Sequence, residues 1–560
     1  MLFKPQLRRH LLIAIAAAGL AGCAAWQAPT EPVSVRILAI NDFHGNVKPS
    51  REGILLQDPT DPSKKVQIAA GGSEVMATAV KQLRQGQRHS VFVAAGDLVG
   101  ASPLLSALFH DEPTIRSLSL MGLELSAVGN HEFDNGLDEL LRKQNGGCHP
   151  KDGCKGPEPF KGATYKYLAA STINLKTGKP ILPPYEIRRF DGIPVAFIGM
   201  ALRGTPELIS PAAAEGLRFD DEVETVHKLL PELRAQGVEA FVLLIHEGGY
   251  PSGGPNECPS LSGAIVGLVK KLDPAVGLVV SGHTHKSYVC RFDGRLVTSA
   301  ERYGVIVSAI DLKLDPKTRR IITAEARNEV VDPARYAKAP EQTALLGAYE
   351  SQSAALINRV VARVAETIDQ TADRTGSSPM GQLIADAYLD ATAASEHGGA
   401  QLALVNQTGV RRSLSFRGDG AISFGDVYAA QPFKNELVTL SLTGEELRQV
   451  LEQQWRPPSQ RNSPLPVSQG FSYSWDGSRP LGQRVLVETM RLNGKPIDLN
   501  AVYRVTTNDY LSTGGDGFTS FAVGKSAQIG KSDLDALVEY MEKQSGPMRA
   551  PAMNRVKRLD

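Results

Sequence analysis

Apolar residues in the first half of the chain come in short runs broken by polar or glycine-rich turns. Val33–Ile40, Val91–Ala95, Leu125–Val128, Ala240–Ile245 and Leu278–Ser281 are short, continuous runs, so they predict buried strands. Between several of them, Gly72–Leu83 and Glu222–Gln236 carry the spacing of helices. This alternation predicts an α/β fold. Near residue 330 the texture shifts. Leu345, Leu346, Tyr349, Leu356, Ile357, Val360, Val361 and Val364 recur at helical spacing and predict one helix from about Pro340 to Glu366 joining two domains. Further on, Leu402–Asn406 and Val502–Thr507 predict strands. Thr443-Gly444-Glu445-Glu446 reads as a capping box opening the helix Glu445–Trp455. Residues 457–468, rich in Pro, Ser and Asn, predict an exposed loop.

A chain of 560 residues is too long for one core, which agrees with two domains. Lys+Arg 61 against Asp+Glu 60 leaves a net charge of +1, so nothing marks a surface for nucleic-acid polymers. The first residues change the picture. Lys4, Arg8 and Arg9 precede an apolar run, Leu11 to Leu20, too short to span a bilayer as a helix. Leu20-Ala21-Gly22-Cys23 follows and resembles the lipobox of bacterial lipoproteins. That resemblance implies a signal peptide over 1–22, a lipid on Cys23 and a short tether over 23–32. Export and a lipid anchor in a bacterial membrane, facing the periplasm or the exterior, are then expected. The remaining cysteines, Cys148, Cys154, Cys258 and Cys290, are even in number, which in an exported chain predicts two disulfides. The simplest pairing is Cys148 with Cys154 and Cys258 with Cys290; a zinc site is the rival, without a CxxC spacing to support it.

Each predicted strand in the first half ends in residues that ligate metals. Asn41-Asp42-Phe43-His44 follows the first, Gly96-Asp97 the second and Gly129-Asn130-His131-Glu132 the third. His246 follows the fourth, and Gly282-His283-Thr284-His285 the fifth. Ligands of open α/β sheets bind beyond the carboxyl ends of strands, so these side chains are expected on one rim. Carboxylate and imidazole together suit zinc, manganese or iron rather than calcium. A pair of such ions can clamp a phosphoryl group and activate a water, with no Ser or Cys nucleophile. His89, His110, His149, His227 and His397 sit in no motif and read as surface residues.

The ordered set D-x-H, G-D, G-N-H-E, H and G-H-x-H resembles that of the calcineurin-like metallophosphatases. The longer strings Ile40–Gly45 and Gly129–Asp134 are similar to the bacterial 5'-nucleotidase and UDP-sugar hydrolase family. The resemblance implies a four-layer β-sandwich flanked by helices over 33–335. It also implies a joining helix over 336–366 and a C-terminal α/β substrate domain over 367–560. Asp42, His44 and His285 would hold one divalent ion, Asn130, His246 and His283 another, and Asp97 would bridge them. His131, oriented by Asp134, would face the phosphate or protonate the leaving oxygen.

In the second half, Asn406-Gln407-Thr408-Gly409-Val410-Arg411 follows a strand directly, and its arginine could fork onto a phosphate. Phe433 and Tyr510 offer two flat rings, and Asp516 sits on a glycine-rich loop. The resemblance implies that the two rings sandwich a base, that Asn406 contacts the base and Asp516 the ribose. Arg411 and Arg374 would meet phosphates. Two departures from the family pattern bear on substrate choice: Gln407-Thr408 stands where glycines usually lie, and Gln382 stands where relatives sometimes have Arg. The expected function is metal-dependent hydrolysis of nucleotide phosphoesters of the 5'-nucleotidase type. A nucleotide-sugar or dinucleotide pyrophosphatase, a 2',3'-cyclic-nucleotide phosphodiesterase and a non-enzymatic surface lipoprotein are the alternatives. Nothing in the sequence points to a protein partner.

Overall fold

The computed structural model describes residues 30–49, 53–58, 60–61, 64–457 and 462–560. The leader over 1–22, Cys23 and nearly all of the tether lie outside the described residues. Two six-stranded sheets build the N-terminal domain. The first runs in the order Ile321–Val330, Ile306–Leu314, Val33–Ile40, Ser90–Ala95, Leu125–Ala127, Lys166–Leu168. The second runs Ser287–Phe292, Arg295–Ala300, Val276–Ser281, Ala240–Ile245, Ile193–Met200, Tyr185–Phe190. All five predicted strands lie in these sheets, and neighbours in the central part of each are parallel.

Successive side chains on a strand point to opposite faces, and here both faces are covered, which is why the strands read as unbroken apolar runs. Val35, Ile37, Val93 and Leu125 of the first sheet meet Phe197, Val242, Leu244 and Leu278 of the second between the sheets. On the far side of the first sheet, Leu38, Ile40 and Phe92 pack under the helices Ser73–Arg84 and Glu112–Leu120. On the far side of the second, Phe241, Leu243 and Ile245 pack under Glu222–Ala235 and Ala264–Lys271. The result is the four-layer helix–sheet–sheet–helix sandwich expected.

The C-terminal domain carries a four-stranded sheet in the order Leu402–Ala403, Val502–Asn508, Glu436–Thr443, Lys525–Ser532. Helices Pro379–Thr392 and Asp533–Glu542 cover one face through Leu383, Ile384, Leu534 and Leu537. The capping box is present: Thr443 and Glu446 each accept from the other's backbone N–H, opening the helix Gly444–Glu452.

Two expectations fail. The joining helix is Pro340–Ile357 and does not run on to residue 366; Val360–Arg363 is a strand paired antiparallel with Ala421–Ser423. Val361 and Val364 enter the C-terminal core. A Val-rich stretch satisfies helical and extended spacing alike, and a partner strand far along the chain decides between them. The loop around 457–468 is not exposed in its second half: Ser463, Leu465, Val467 and Ser468 are buried. The carbonyls of Pro464 and Pro466 accept the N–H groups of Gln407 and Val405, at 3.0 Å each. Proline cannot donate to a sheet but can border one through its oxygen. The helix Pro340–Ile357 packs against Ser73–Arg84 and Glu112–Leu120 on one side and Phe424–Ala430 on the other.

Disulfides join Cys148 to Cys154 and Cys258 to Cys290, with Cα separations of 4.6 and 5.2 Å. The second closes a segment of 32 residues that contains the Gly282–His285 turn. Cys258→Ser/Cys290→Ser is expected to lower stability by about 2–4 kcal/mol, because the reduced chain regains loop entropy when unfolded. Thermal unfolding of the double variant against wild type, both with Cys148–Cys154 intact, measures this; an unchanged first transition refutes it.

Among the described residues, no helix is long and apolar enough to cross a membrane.

Candidate metal centre

The carboxyl ends of the predicted strands meet at one rim, and the side chains they deliver converge. Asp42 Oδ1 lies 3.3 Å from His285 Nε2 and 3.8 Å from His44 Nε2. Asp97 Oδ2 lies 3.0 Å from His246 Nε2 and 3.6 Å from His44 Nε2. Asn130 Oδ1 lies 3.2 Å from His246 Nε2 and 3.1 Å from His283 Nδ1. All seven residues expected to ligate therefore share one cluster. Two groupings, Asp42–His44–His285 and Asp97–His246–His283, each bring their donor atoms within 4.8 Å of one another.

The donor set suits cations. His44 directs Nδ1 to the Gly100 carbonyl at 2.9 Å, and His246 directs Nδ1 to the Ala95 carbonyl at 2.8 Å. A carbonyl accepts only from N–H, so in the neutral ring each Nε2 is left with a lone pair to ligate with. Each Nε2 is aimed into the cluster: His44 Nε2 at His285 Nε2, 3.0 Å away, and His246 Nε2 at Asp97 Oδ2 and Asn130 Oδ1. A proton can bridge each of these pairs, and a divalent cation bound there would take its place. Electrostatics agree. Burial opposes charge on His246, yet Asp97 and Asp42 push its pKa up to about 10. Burial first, then neighbouring cations, holds His44 and His285 well below the usual imidazole range and His283 down to about 4, so those rings are neutral and free to ligate. Asp97 stays ionised: burial works against it, and His246 and His131 outweigh burial.

The backbone is bent to aim these groups. Asp42, His44, Asp97, His283 and His285 all have positive φ, from 46 to 69°. Such angles are rare for residues with a Cβ and gather at functional sites. Gly129 has no substitute: a Cβ there would lie 2.1 Å from Asp97 Oδ1. Glu132 is not part of the cluster but braces it, its buried carboxylate taking the N–H groups of Asp97 at 2.9 Å, Leu98 at 2.8 Å and Gly129 at 2.5 Å.

His131 stands beside the cluster. Its Nδ1 contacts Asp134 Oδ2 at 2.8 Å, and its own N–H donates to Asp97 Oδ1 at 2.9 Å. Burial disfavours the charged ring, but Asp134 and then Asp97 raise its pKa above the ordinary value, which favours a proton-bearing imidazole. Phe433 of the C-terminal domain stacks on this ring, centroids 5.9 Å apart and planes 20° apart. The two domains thus close over the rim, with Phe433 lying on the His131 ring.

The other expected substrate residues divide. Arg411 lies over Phe433, 5.9 Å from its centroid, and its buried Nη2 has no hydrogen-bond partner. Its charge reaches His44, His131 and His285. Asn406 donates to Thr408 Oγ1 at 2.9 Å and accepts from Asn508 at 3.3 Å, while Thr408 and Ser463 donate to Asp516. Tyr510 donates across the domain boundary to the Glu207 carbonyl at 3.0 Å and to Asp516 Oδ1 at 2.8 Å. Arg374 is exposed on the turn after Asp373 and, among the described residues, no hydrogen bond or ion pair ties it to this group.

Sequence reading missed Arg412. Its guanidinium lies 4.0 Å over the Tyr303 ring and donates to Asn46 Oδ1 at 2.8 Å, a second clasp between the domains. Tyr303 is itself within 6.0 Å of the His44 and His285 rings. The Arg411-Arg412 pair was the available signal.

Comparisons with known proteins agree with this architecture. Residues 35–287 match the model of the calcineurin-like phosphoesterases, and residues 360–523 that of the 5'-nucleotidase C-terminal domain. Endonuclease YhcR of Bacillus subtilis is 31% identical over 532 residues, covering 95% of this chain but 41% of its own length. A 5'-nucleotidase of Vibrio vulnificus is 25% identical, with 94% of each covered. In fold, a 5'-nucleotidase precursor from Thermus thermophilus superposes with a TM-score of 0.76 at 24% identity, covering 94% of this chain and 99% of that one. The chain belongs to the calcineurin-like phosphoesterases that carry a 5'-nucleotidase C-terminal domain.

Proposed function

We propose that this chain hydrolyses nucleotide phosphoesters, releasing phosphate from a mononucleotide held between its two domains. One observation carries the reading. A cluster of carboxylate, amide and imidazole donors suited to cations faces, across the domain boundary, an arginine with a buried and unpartnered guanidinium nitrogen. Asp42, His44 and His285 would hold one divalent ion and Asn130, His246 and His283 another, with Asp97 shared. The chemistry supplied by such ions is Lewis-acid polarisation of a phosphoryl group and activation of a water. The residues of the chain do the rest. Arg411 binds phosphate oxygens, and Asp134 orients His131 through Nδ1 and favours its protonated form, so that Nε2–H can give a proton to the leaving oxygen. Phe433 and Tyr510 hold the base, Asn406 and Asp516 the nucleoside. Asn406 and Asp516 are tied into one hydrogen-bonded group through Thr408, which supports a common task. Arg374 would reach a phosphate only by moving from its exposed turn.

Purified protein loaded with Mn²⁺ or Zn²⁺ and given AMP tests the reading through phosphate release. No release from any nucleoside monophosphate overturns it. Arg411→Ala is expected to lower kcat/KM for AMP by about 10–10²-fold, the loss of one charge-assisted contact of about 1.5–3 kcal/mol. Unchanged kinetics would remove Arg411 from the site.

A second reading rests on the relative named an endonuclease. A phosphodiester would then be the substrate, and cyclic nucleotides, dinucleotides and DNA belong in the same assay. The closed rim, with Phe433 lying on His131, favours a small substrate over a polymer.

We place the domain boundary along the helix Pro340–Ile357, which touches both halves and is the natural hinge for opening the rim. The leader and Cys23 support export with a lipid anchor. Two disulfides and a relative named a cell wall protein of Listeria monocytogenes point the same way. Globomycin treatment of expressing cells checks this: processing should stop with the leader attached.

A further inference from the structure

Arg412 reaches from the C-terminal domain to Tyr303 and Asn46 of the N-terminal one. Both of these residues are bonded to the turn that carries Asp42 and His44. The buried Asn46 amide donates from Nδ2 to the carbonyls of Phe43 at 3.0 Å and His44 at 2.7 Å. Two carbonyls fix which way round the amide lies, and its Oδ1 is left to accept. Among the described residues, the hydrogen bond to that oxygen comes from Arg412. On the other side, the Tyr303 N–H donates to the Asp42 carbonyl at 2.7 Å. The Tyr303 ring, under the guanidinium, stands beside both His44 and His285. One side chain of the second domain thus reaches Asp42, His44 and His285, in each case through a single intermediate residue.

We propose that Arg412 is a positioning residue: with the domains closed it fixes the Asp42–His44 turn, so that a divalent ion at Asp42, His44 and His285 is held more tightly in the closed form than in the open one. The proposal rests on the reading that these three residues hold an ion. Coupling of this kind is mutual, so closure and occupancy of that site favour each other by the same factor. Arg411 and Arg412 are consecutive, so the movement that seats Arg412 on Tyr303 and Asn46 also brings Arg411 to the phosphate position.

Charge alone predicts the opposite sign. A guanidinium near a cation site repels the cation, and its removal would tighten binding. A loss of affinity on removing Arg412 therefore reports position rather than charge.

Metal-free full-length protein is titrated with Mn²⁺, and free Mn²⁺ is read by electron paramagnetic resonance. Wild type is expected to bind two ions per chain. Arg412→Ala is expected to bind one of the two about 10-fold more weakly, the size usual for a group standing behind a ligand, and the other as wild type does. Arg412→Lys, which keeps a cation over the Tyr303 ring, is expected to recover part of the loss. Unchanged or tighter Mn²⁺ binding in Arg412→Ala, with two ions bound by wild type, overturns the proposal and leaves the metal reading standing. Equal weakening of both ions, the mark of a generally loosened fold, overturns it too. A wild type that binds no Mn²⁺ overturns both.

Discussion

Asp97→Ala is expected to strip the centre of metal and to lower turnover of AMP by more than about 10²-fold. Even hydrogen-bonding partners behind a ligand commonly contribute about 10–100-fold to metal affinity, and Asp97 would face the ions themselves. Its carboxylate lies against His246 and His44 at once, and its second oxygen receives the His131 N–H. Removing it deletes the carboxylate that lies between His44 of one grouping and His246 of the other, and leaves Asp42 as the only carboxylate of the seven. It also loosens His131, so loss of metal and loss of rate should arrive together. Asp97→Asn separates charge from shape: Asn tolerates the left-handed backbone and keeps a donor oxygen, so its loss of metal reports the charge. Metal content and kcat/KM measured on the same samples decide the matter. A fully loaded and active Asp97→Ala protein would exclude the shared role.

His131→Ala should behave differently. Metal content is expected to hold, because the seven converging ligands do not include this ring. kcat is expected to fall by about 10²–10⁴-fold, the range for a positioned general acid, with KM little changed. The shape of the loss identifies the role. If the ring protonates the leaving oxygen, an aryl phosphate with an acidic leaving group should suffer much less than AMP, because it departs without that proton. If both suffer alike, His131 stabilises charge on the phosphoryl group instead. Asp134→Asn should give a smaller loss, since the ring remains but its pKa is no longer held up by that carboxylate. Turnover like wild type in His131→Ala would remove the residue from the chemistry.

Much of this site was legible in the sequence because it is built on strand ends. A strand buried on both faces writes itself as an apolar run, and the residue that follows the run is fixed in place by the sheet. Asp42, Asp97, Asn130, His246 and His283 could therefore be grouped before any coordinates. What escaped depends on packing between distant segments. Val360–Arg363 looked helical because nothing local to it reveals Ala421–Ser423, its partner strand. The Pro-rich stretch after residue 457 looked exposed because composition does not show that Pro464 and Pro466 border Gln407 and Val405. Arg412 carried no motif, and its clasp on Tyr303 and Asn46 exists only once the domains meet. His110 and His149 are 39 positions apart, and only the fold stacks them.

The left-handed backbone at Asp42, His44, Asp97, His283 and His285 has a consequence over evolutionary time. An L side chain in that conformation costs about 1–2 kcal/mol, which glycine escapes. Two buried carboxylates side by side add to the burden whenever no cation offsets them. The fold on its own terms would be steadier with this rim erased. A lineage that stopped using the reaction would lose these residues quickly, since drift towards glycine or asparagine here raises stability rather than lowering it. Glycine at these turns is therefore expected to steady the metal-free fold while removing the candidate ligands.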